Sequence, residues 1–382
     1  MYPIFQLGGP VTGKDFYGRE GVLRSLQRDL VDKGMRGYVI YGARRIGKTS
    51  LLMEFKQRIT ANKKATCIYI DVSSIHPFTL ERLYDTMFIE SLKAFRPKLD
   101  MWDGVKSALA GSATAFSEIL KNASIDIVVK DYLTIKFRLK ERKADLQELL
   151  KNALTAVEKY SERSKTRGII ILDEFQLIEK MEPKTLWAFR AHIQNWKHAA
   201  MIVAGSEVSF VEELTINKTA PFYMLFKIEN LKPFDKKTSE NMILDKFKKL
   251  GMHIEQNALE KCHDLTGGYP FYLQWLGDAI YDQKPKKIGI AEVVLAFRAL
   301  LKESEVIFYS ELERISEGEK SVLIELAKGR KRITEVAKRL EKPDSTVAKF
   351  VERLIAKGYV IRYENGYKLV DNLLAGWLAL TY

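Results

Sequence analysis

The sequence is poor in cysteine and histidine, and neither residue is spaced to hold a metal. Its 382 residues include two cysteines, Cys67 and Cys262, and five histidines. Two isolated cysteines cannot build a disulfide framework, and they suit a reducing compartment. The nearest histidine pair, His192 and His198, is six residues apart and off one helical face. These absences exclude a disulfide-rich secreted module and predict no metal site built from histidine or cysteine.

Long apolar segments, repeats and low-complexity tracts are absent as well. No apolar run approaches the roughly 18 residues that a transmembrane helix needs. Residues 373–382 are apolar but too short to span a membrane. The opening sequence, MYPIFQLGGP, lacks the basic and apolar regions of a signal peptide. We therefore predict a soluble cytoplasmic protein with no membrane partner.

Apolar residues and positive charge are both plentiful. Hydrophobic residues make up 46 % of the chain, which excludes global disorder. At about 150 residues per domain, the length predicts two to three domains. Lysine and arginine number 62 against 49 acidic residues, a formal net charge of +13. Such a surplus points to anionic partners, which include nucleic acid, nucleotide phosphates and acidic membrane surfaces.

The clearest motif follows the first apolar run. Residues 37–41 predict a buried strand, residues 42–49 read GARRIGKT, and a helical pattern comes next. This matches G-x-x-x-x-G-K-T in the strand-to-helix context that a phosphate-binding loop needs. Loop amides and the helix N-terminus would face a phosphate. Lys48 would then reach the β- and γ-phosphates, and the Thr49 hydroxyl would bind Mg²⁺. The predicted nucleotide-binding residues here are Gly42, Ala43, Arg44, Arg45, Ile46, Gly47, Lys48, Thr49 and Ser50.

Two later strands end in polar residues. Residues 168–172 form a continuous apolar run followed by Asp173 and Glu174. Such a run is typical of a central parallel strand. Phosphoryl transfer needs a carboxylate near Mg²⁺ and a group that activates water, so we assign Asp173 to the metal and Glu174 to the water. Ser206 follows a similar run and is predicted to sense the γ-phosphate, with a turn or helix-cap serine as the open alternative.

The spacing of strands and helices predicts an α/β domain with a parallel sheet. Residues 80–165 are mostly helical in pattern, but residues 125–129 and 133–139 alternate and predict a hairpin or an added strand. After residue 234 the pattern is helical to about residue 305. We divide the chain into a core (residues 1–234), a helical lid (235–312) and a C-terminal unit (313–382).

The C-terminal unit has the pattern of a winged helix-turn-helix. An S-x-x-E capping box begins a helix at Ser316, and two further helices follow. Asn365 and Gly366 then sit between two short strands, a strong signal for a tight hairpin. Residues 316–370 hold 13 lysines and arginines against 8 acidic residues, a net charge of +5.

A winged helix places its third helix in the DNA major groove. Ser345 and Thr346 would meet base edges, with Lys349 and Arg353 behind them. Basic residues before the second helix and in the wing would suit phosphates. The predicted DNA-binding residues are Lys331, Arg332, Ser345, Thr346, Lys349, Arg353 and Arg362. The open alternative is a protein-packing module with a solvated charged face.

Together these residues resemble the archaeal ATPase family of STAND-type P-loop NTPases, relatives of the AAA+ proteins. Residues 16–20 (FYGRE) look like its leading F-x-G-R-E box, and residues 44–52 (RRIGKTSLL) are similar to its R-R-x-G-K-T-S-L-L form of Walker A. Residues 173–176 (DEFQ) resemble its Walker B, and residues 268–270 (GYP) resemble the G-x-P signature of the lid. Gly205 and Ser206 look like the position of its sensor serine.

The resemblance implies an ATPase core, a helical lid and a C-terminal winged helix, with ATP and Mg²⁺ as ligands. It adds Gly18, Arg19 and Pro270 to the predicted nucleotide site, with Pro270 where AAA+ relatives use an arginine. One box departs from the family. Where relatives often carry P-L-Y-G-R, residues 221–227 read PFYMLFK, and Lys227 stands two positions beyond the missing arginine. Lysine is a poorer bidentate clamp, so we expect slow or partner-dependent hydrolysis.

The sequence therefore predicts an ATP-binding ATPase that acts as a nucleotide-dependent switch and binds double-stranded DNA through its winged helix. Glu174, Lys48 and Ser206 are the predicted catalytic residues. A replication-initiator-like AAA+ ATPase is one alternative, although such a protein is expected to carry a lid arginine where this chain has Gly-Tyr-Pro. An ATP-stabilised scaffold that binds a protein partner, or itself, is the other alternative.

Overall fold

A parallel sheet organises the first part of the chain. The computed structural model describes residues 4–95, 102–109, 112–121, 126–141, 145–182, 184–206, 211–364 and 366–382. Within these ranges, five parallel strands form a sheet in the order β2-β3-β4-β1-β5. The strands are β1 (Gly37–Tyr41), β2 (Ala65–Asp71), β3 (Arg167–Asp173), β4 (Ala199–Gly205) and β5 (Phe226–Asn230). Because all strands run the same way, their carboxyl ends share one edge, and the predicted site residues after β1, β3 and β4 gather there.

The sheet is buried on both faces, which explains its continuous apolar runs. Alternate side chains of each strand enter different hydrophobic cores, as Ile169 and Ile170 do. One core is completed by α1 (Glu20–Leu26) and α2 (Lys48–Ala61). Helices packed on the other face include α3 (Leu80–Phe95), α7 (Leu146–Ser164) and α9 (Lys184–Ile193). Other helices of the core are α4 (Trp102–Leu109), α5 (Ala113–Lys121), α6 (Ile127–Lys140) and α8 (Gln176–Met181).

Helix α6 corrects the expectation of a hairpin or added strand at residues 125–139. Residue 125 lies outside the described residues, and the rest of the segment is helical. Asp126 caps the helix by accepting a hydrogen bond from the amide two residues on, at 2.8 Å. Lys136, one of the polar residues in the alternating pattern, is itself buried and bonded to Asp85 at 2.6 Å. The buried apolar residues recur at helical spacing: Val128, Val129, Tyr132 and Leu133.

Residues 235–312, which we call the lid, form a series of helices. Its helices are α10 (Lys236–Lys249), α11 (Gln256–Thr266), α12 (Pro270–Asp282), α13 (Ile290–Glu303) and α14 (Glu305–Leu312). Their apolar faces join the same hydrophobic core as α1 and α2. The lid is therefore packed against the core through side chains that leave water on folding, rather than tethered by a linker.

The C-terminal unit contains the predicted pattern of helices and strands. Its described elements are α15 (Glu317–Ala327), α16 (Ile333–Leu340), α17 (Asp344–Ala356), β6 (Val360–Tyr363), β7 (Gly366–Leu369) and α18 (Asn372–Thr381). The capping box begins α15, where the Glu319 amide donates to the Ser316 hydroxyl at 3.3 Å. β6 and β7 pair antiparallel; Asn365 lies outside the described residues.

Helix α18 returns to the lid. Trp377 is 3 % exposed and packs against Phe308 of α14, with ring centroids 5.5 Å apart. The apolar C-terminal residues therefore join the C-terminal unit to the lid. None of the helices in the described ranges combines the length and the apolar character that crossing a membrane requires.

Candidate nucleotide site

The loop after β1 wraps around the side chain of Lys48. Its ammonium donates to the carbonyl oxygens of Gly42 at 2.9 Å and Ala43 at 3.1 Å. Gly47 begins α2 with φ of +90°, a left-handed conformation that a glycine adopts without strain. Lys48 is 7 % exposed, and burial lowers its pKa while the charges of Glu174 and Asp173 oppose that shift. The loop thus holds a buried cation, which is a suitable partner for an anion.

Asp173 is the centre of a second polar cluster at the same edge of the sheet. It is 2 % exposed, and its Oδ2 accepts hydrogen bonds from the Thr49 hydroxyl at 2.7 Å and the Tyr69 hydroxyl at 3.1 Å. Its Oδ1 accepts from the Glu174 amide at 3.0 Å. Burial raises the pKa of Tyr69, and the nearby charge of Asp173 adds to the effect. The two residues predicted to bind Mg²⁺ are therefore in direct contact.

Glu174 and Ser206 lie differently around this cluster. Glu174 lines the cleft with a left-handed φ of +53°, and Gln176 donates a hydrogen bond to its carboxylate. That positive φ turns the chain sharply after β3, so that Glu174 and Asp173 both reach the cleft. Ser206 follows β4 at the same edge but is not among the lining residues.

A cleft of about 610 Å³ joins these groups to the lid. The predicted residues that line it are Arg19, Arg44, Arg45, Ile46, Gly47, Lys48, Thr49, Ser50, Asp173, Glu174 and Pro270. Gly18, Gly42 and Ala43 do not line it. Residues that the motifs did not identify also reach the cleft, among them Leu7, Asp71, Met242, Phe271 and Gln274. None of them belongs to a motif, although Phe271 and Gln274 follow Pro270 in α12, so the sequence carried no direct signal for them.

Arg19 contacts both the phosphate-binding loop and Phe234, the last residue before the lid. Its guanidinium donates to the Ile46 carbonyl at 3.2 Å and lies 4.7 Å from the centre of the Phe234 ring. Burial lowers the pKa of Arg19 to about 10, although Glu229 opposes the shift. Gly18 precedes it with φ of +69° and lies against Phe234 and Thr238. The F-x-G-R-E box therefore joins three pieces of the molecule beside the cleft.

In the G-G-Y-P segment, the backbone of Gly268 closely approaches the backbone of Phe234. Gly268 has φ of +74°, and a Cβ atom there would lie 2.2 Å from the Phe234 carbonyl oxygen. The Phe234 amide donates to the Gly268 carbonyl at 2.8 Å. This contact fixes the start of α12, where Pro270 is the first residue and lines the cleft.

Arg45 connects the phosphate-binding loop to the lid and the C-terminal unit. Its Nη1 donates to the Tyr272 hydroxyl at 2.6 Å and lies 3.7 Å from Asp371 Oδ2. The Tyr272 hydroxyl in turn donates to Asp371. Burial raises the pKa of both Tyr272 and Asp371. Asp371 also caps α18 by accepting from the amides of Leu373 and Leu374, at 2.9 and 3.0 Å. We call Arg45, Tyr272 and Asp371 the arginine link; the spacing along the chain gives no sign of it.

Lys227 is engaged away from the cleft. Its ammonium bonds to the buried Asp29 at 2.8 Å and lies over the Tyr38 ring. Bonds from Arg28, Lys227 and Tyr38 hold the pKa of Asp29 well below its usual range. Lys227 pairs with Tyr38, near the start of β1, whereas the phosphate-binding loop follows the other end of that strand. In this arrangement Lys227 serves the packing of the sheet.

The predicted DNA-binding residues lie on the surface of the C-terminal unit. Thr346 is half-buried and the other six are exposed. We call five of them, Lys331, Arg332, Lys349, Arg353 and Arg362, the basic face. In the described part of the chain none of the five forms an ion pair, whereas the neighbouring Lys357 binds Glu319 at 3.0 Å.

The sheet order, the loop between β1 and α2 and the acidic end of β3 define the P-loop NTPase-like class of α/β folds. Residues 16–276 match a family of ATPase domains predominantly from Archaea, and the chain belongs to that family.

The fold is also similar to solved structures. A Walker-type ATPase of Pyrococcus abyssi aligns with a TM-score of 0.71 at 20 % identity, over 98 % of this chain and 99 % of that chain. The ORC2 protein of Aeropyrum pernix, solved with ADPNP and ADP, aligns with a TM-score of 0.61 at 16 % identity, over 98 % and 95 % of the two chains. No curated protein matches the sequence. At these identities the structural likeness shows the fold alone.

Proposed function

We propose that the chain is a Mg²⁺-dependent ATPase that works at the cleft between core and lid. The observation that carries this proposal is the 2.7 Å contact between Thr49 and Asp173, which brings together a hydroxyl and a carboxylate beside the phosphate-binding loop. Mg²⁺ prefers oxygen ligands and commonly takes few from the protein, with water and phosphates supplying the rest. Among the described residues there is no cluster of three acidic, histidine or cysteine ligands, so this pair fits such a partly hydrated ion.

In this proposal Lys48, Glu174 and Gln176 act in different ways on the nucleotide and the attacking water. Mg²⁺, when bound, supplies positive charge that stabilises the phosphate oxygens. Lys48 exchanges its bonds to the Gly42 and Ala43 carbonyls for bonds to phosphate oxygens. Glu174 accepts the proton of the attacking water. The hydrogen bond from Gln176 holds Glu174 in place until water and nucleotide are aligned.

Replacing Glu174 by glutamine separates binding from hydrolysis. The amide keeps the size of the side chain but cannot accept the proton, so we expect ATP affinity to persist and turnover to fall by about 10²–10⁴-fold. Phosphate release and ATP titration of the two proteins measure both quantities. Glu118→Gln, an exposed glutamate of α5 that does not line the cleft, is the matched control and should keep both ATP affinity and turnover. Unchanged turnover in Glu174→Gln would remove the assignment of Glu174 as the base.

We further propose that bound nucleotide sets the position of the lid and C-terminal unit, as in STAND-type NTPases. The arginine link supports this because Arg45 belongs to the loop that would hold the phosphates, while Tyr272 and Asp371 belong to the lid and the C-terminal unit. Arg45 cannot keep both partners if a phosphate draws it away. We also propose that the core, the lid and the C-terminal unit are separate domains, with boundaries at residues 234/235 and 312/313.

We propose that the C-terminal unit is a winged helix that binds double-stranded DNA. Helices α15–α17 and the antiparallel strand pair support the first part, and the exposed basic face, whose cations form no ion pair with a described residue, supports the second. Exposed cations without an acidic partner are free to displace counterions from DNA.

Duplex binding measured over a salt series, with ATP, with ADP and without nucleotide, tests both proposals. We expect affinity to fall as salt rises and to differ between ATP and ADP. Arg45→Met should reduce that difference, because the link is cut. No duplex binding at low salt would overturn the DNA proposal and favour the protein-interaction scaffold.

A further inference from the structure

Gln274 is a buried amide with an unsatisfied carbonyl oxygen. The residue is 4 % exposed, and within the described residues its Oε1 accepts no hydrogen bond. Gln274 lies one helical turn after Pro270 in α12, and both residues line the cleft. A buried polar atom without a partner is costly unless a ligand completes its bonding. Gln274 therefore brings to the wall of the cleft a carbonyl oxygen that no described residue satisfies.

The surroundings of Gln274 suit a flat aromatic ligand. Apolar side chains from the N-terminal segment, the start of the lid, α10 and α12 line the same cleft: Leu7, Phe16, Tyr17, Phe234, Met242 and Phe271. Such side chains enclose or stack on a purine ring. Charged groups reach the cleft from the core, where Lys48 and Asp173 lie. The cleft thus has an apolar side, formed by core and lid residues and including the Gln274 amide, and a charged side.

We propose that Gln274 reads the nucleobase, an inference that rests on the ATP binding proposed above. Adenine presents an amino donor next to a ring-nitrogen acceptor, and a glutamine amide presents the complementary acceptor and donor. The matching edge of guanine presents two acceptors, so the same amide satisfies one of them. A site built to bond a substrate amino group rejects an analogue that lacks it. Gln274 is on this account a specificity-determining residue that favours ATP over GTP.

Modified nucleotides test this on the unaltered full chain. Calorimetric titration compares ATP with GTP and with purine riboside triphosphate, which lacks the amino group. We expect ATP to bind about tenfold more tightly than either analogue. Equal affinities would overturn the role of Gln274 while leaving the ATPase proposal standing. Absence of binding by every nucleotide would overturn both, so the two failures are distinguishable.

A substitution locates the effect. Gln274→Met conserves volume and removes the amide. We expect ATP affinity to fall about tenfold, purine riboside triphosphate to bind as well as ATP, and inorganic tripolyphosphate to bind as it does to the unaltered chain. Gln283→Met, at the end of the same helix, is the matched control and should keep the preference for ATP. Retention of that preference in Gln274→Met would overturn the assignment.

Discussion

The nucleotide cleft and the basic face both use cations, but they hold them in opposite ways. In the cleft, Lys48 is 7 % exposed and already bonded to two carbonyls. On the basic face, Lys349 and Arg353 are exposed, and neither has an ion-pair partner among the described residues. A buried cation is expensive to leave without a partner, whereas an exposed one is satisfied by water. We therefore expect large effects from single changes in the cleft and small, additive effects on the face.

The largest expected effect is the loss of the buried cation. Lys48→Met keeps the length of the side chain and removes its charge. Because a hydrogen bond from a charged group contributes about 1.5–3 kcal/mol, we expect ATP affinity to fall by more than tenfold. Equilibrium titration with ATP measures the change. Lys64→Ala, at an exposed position of the core, is the control and should leave ATP affinity unchanged. A comparable loss of ATP affinity in both variants would show that the loss in Lys48→Met does not come from its place in the cleft.

Changes on the basic face should be smaller and depend on salt. Lys349→Ala and Arg353→Ala each remove one cation from the proposed DNA-binding face. We expect each to lower duplex affinity and to reduce the steepness of its salt dependence by about one ion. The double variant should lose more duplex affinity than either single variant, because two positive charges are removed. ATP affinity should not change. A loss of ATP affinity in these variants would mean that the two regions are not separate.

The smallest effect is expected at Met224, which belongs to neither region. It is 87 % exposed and has a left-handed φ of +55°, at the position where relatives with P-L-Y-G-R carry glycine. Met224→Gly should relieve the backbone strain, but glycine also increases the conformational entropy of the unfolded chain. We expect the free energy of unfolding to rise by about 0.5–1 kcal/mol as the net result. A rise in melting temperature would report this gain. Lower stability would show that Met224 makes contacts that outweigh its backbone strain.

Local chemistry explains what the sequence could predict. The phosphate-binding loop, the acidic end of β3 and the helices of the lid each depend on residues close together in the chain. Asp173 lies beside Thr49 because parallel strands place their carboxyl ends at one edge, a rule that needs no knowledge of packing.

What could not be predicted depends on contacts between distant residues. Lys136 is polar but is buried against Asp85, so counting it as a solvent-facing residue favoured alternating strands where the chain forms a helix. The arginine link joins Arg45 to partners more than 200 residues away, and Gln274 is notable only once its burial is known. Each of these is a polar group inside the protein, where its partner rather than its neighbours in sequence decides its role.

Thr49 and Asp173 are the residues that we propose hold Mg²⁺ in the ATP-binding cleft. The most direct measurement is ATP affinity with Mg²⁺ and with a chelator, for the unaltered chain and for Asp173→Asn. We predict that Mg²⁺ strengthens ATP binding to the unaltered chain and that this gain disappears in Asp173→Asn. An equal gain from Mg²⁺ in both proteins would contradict the account.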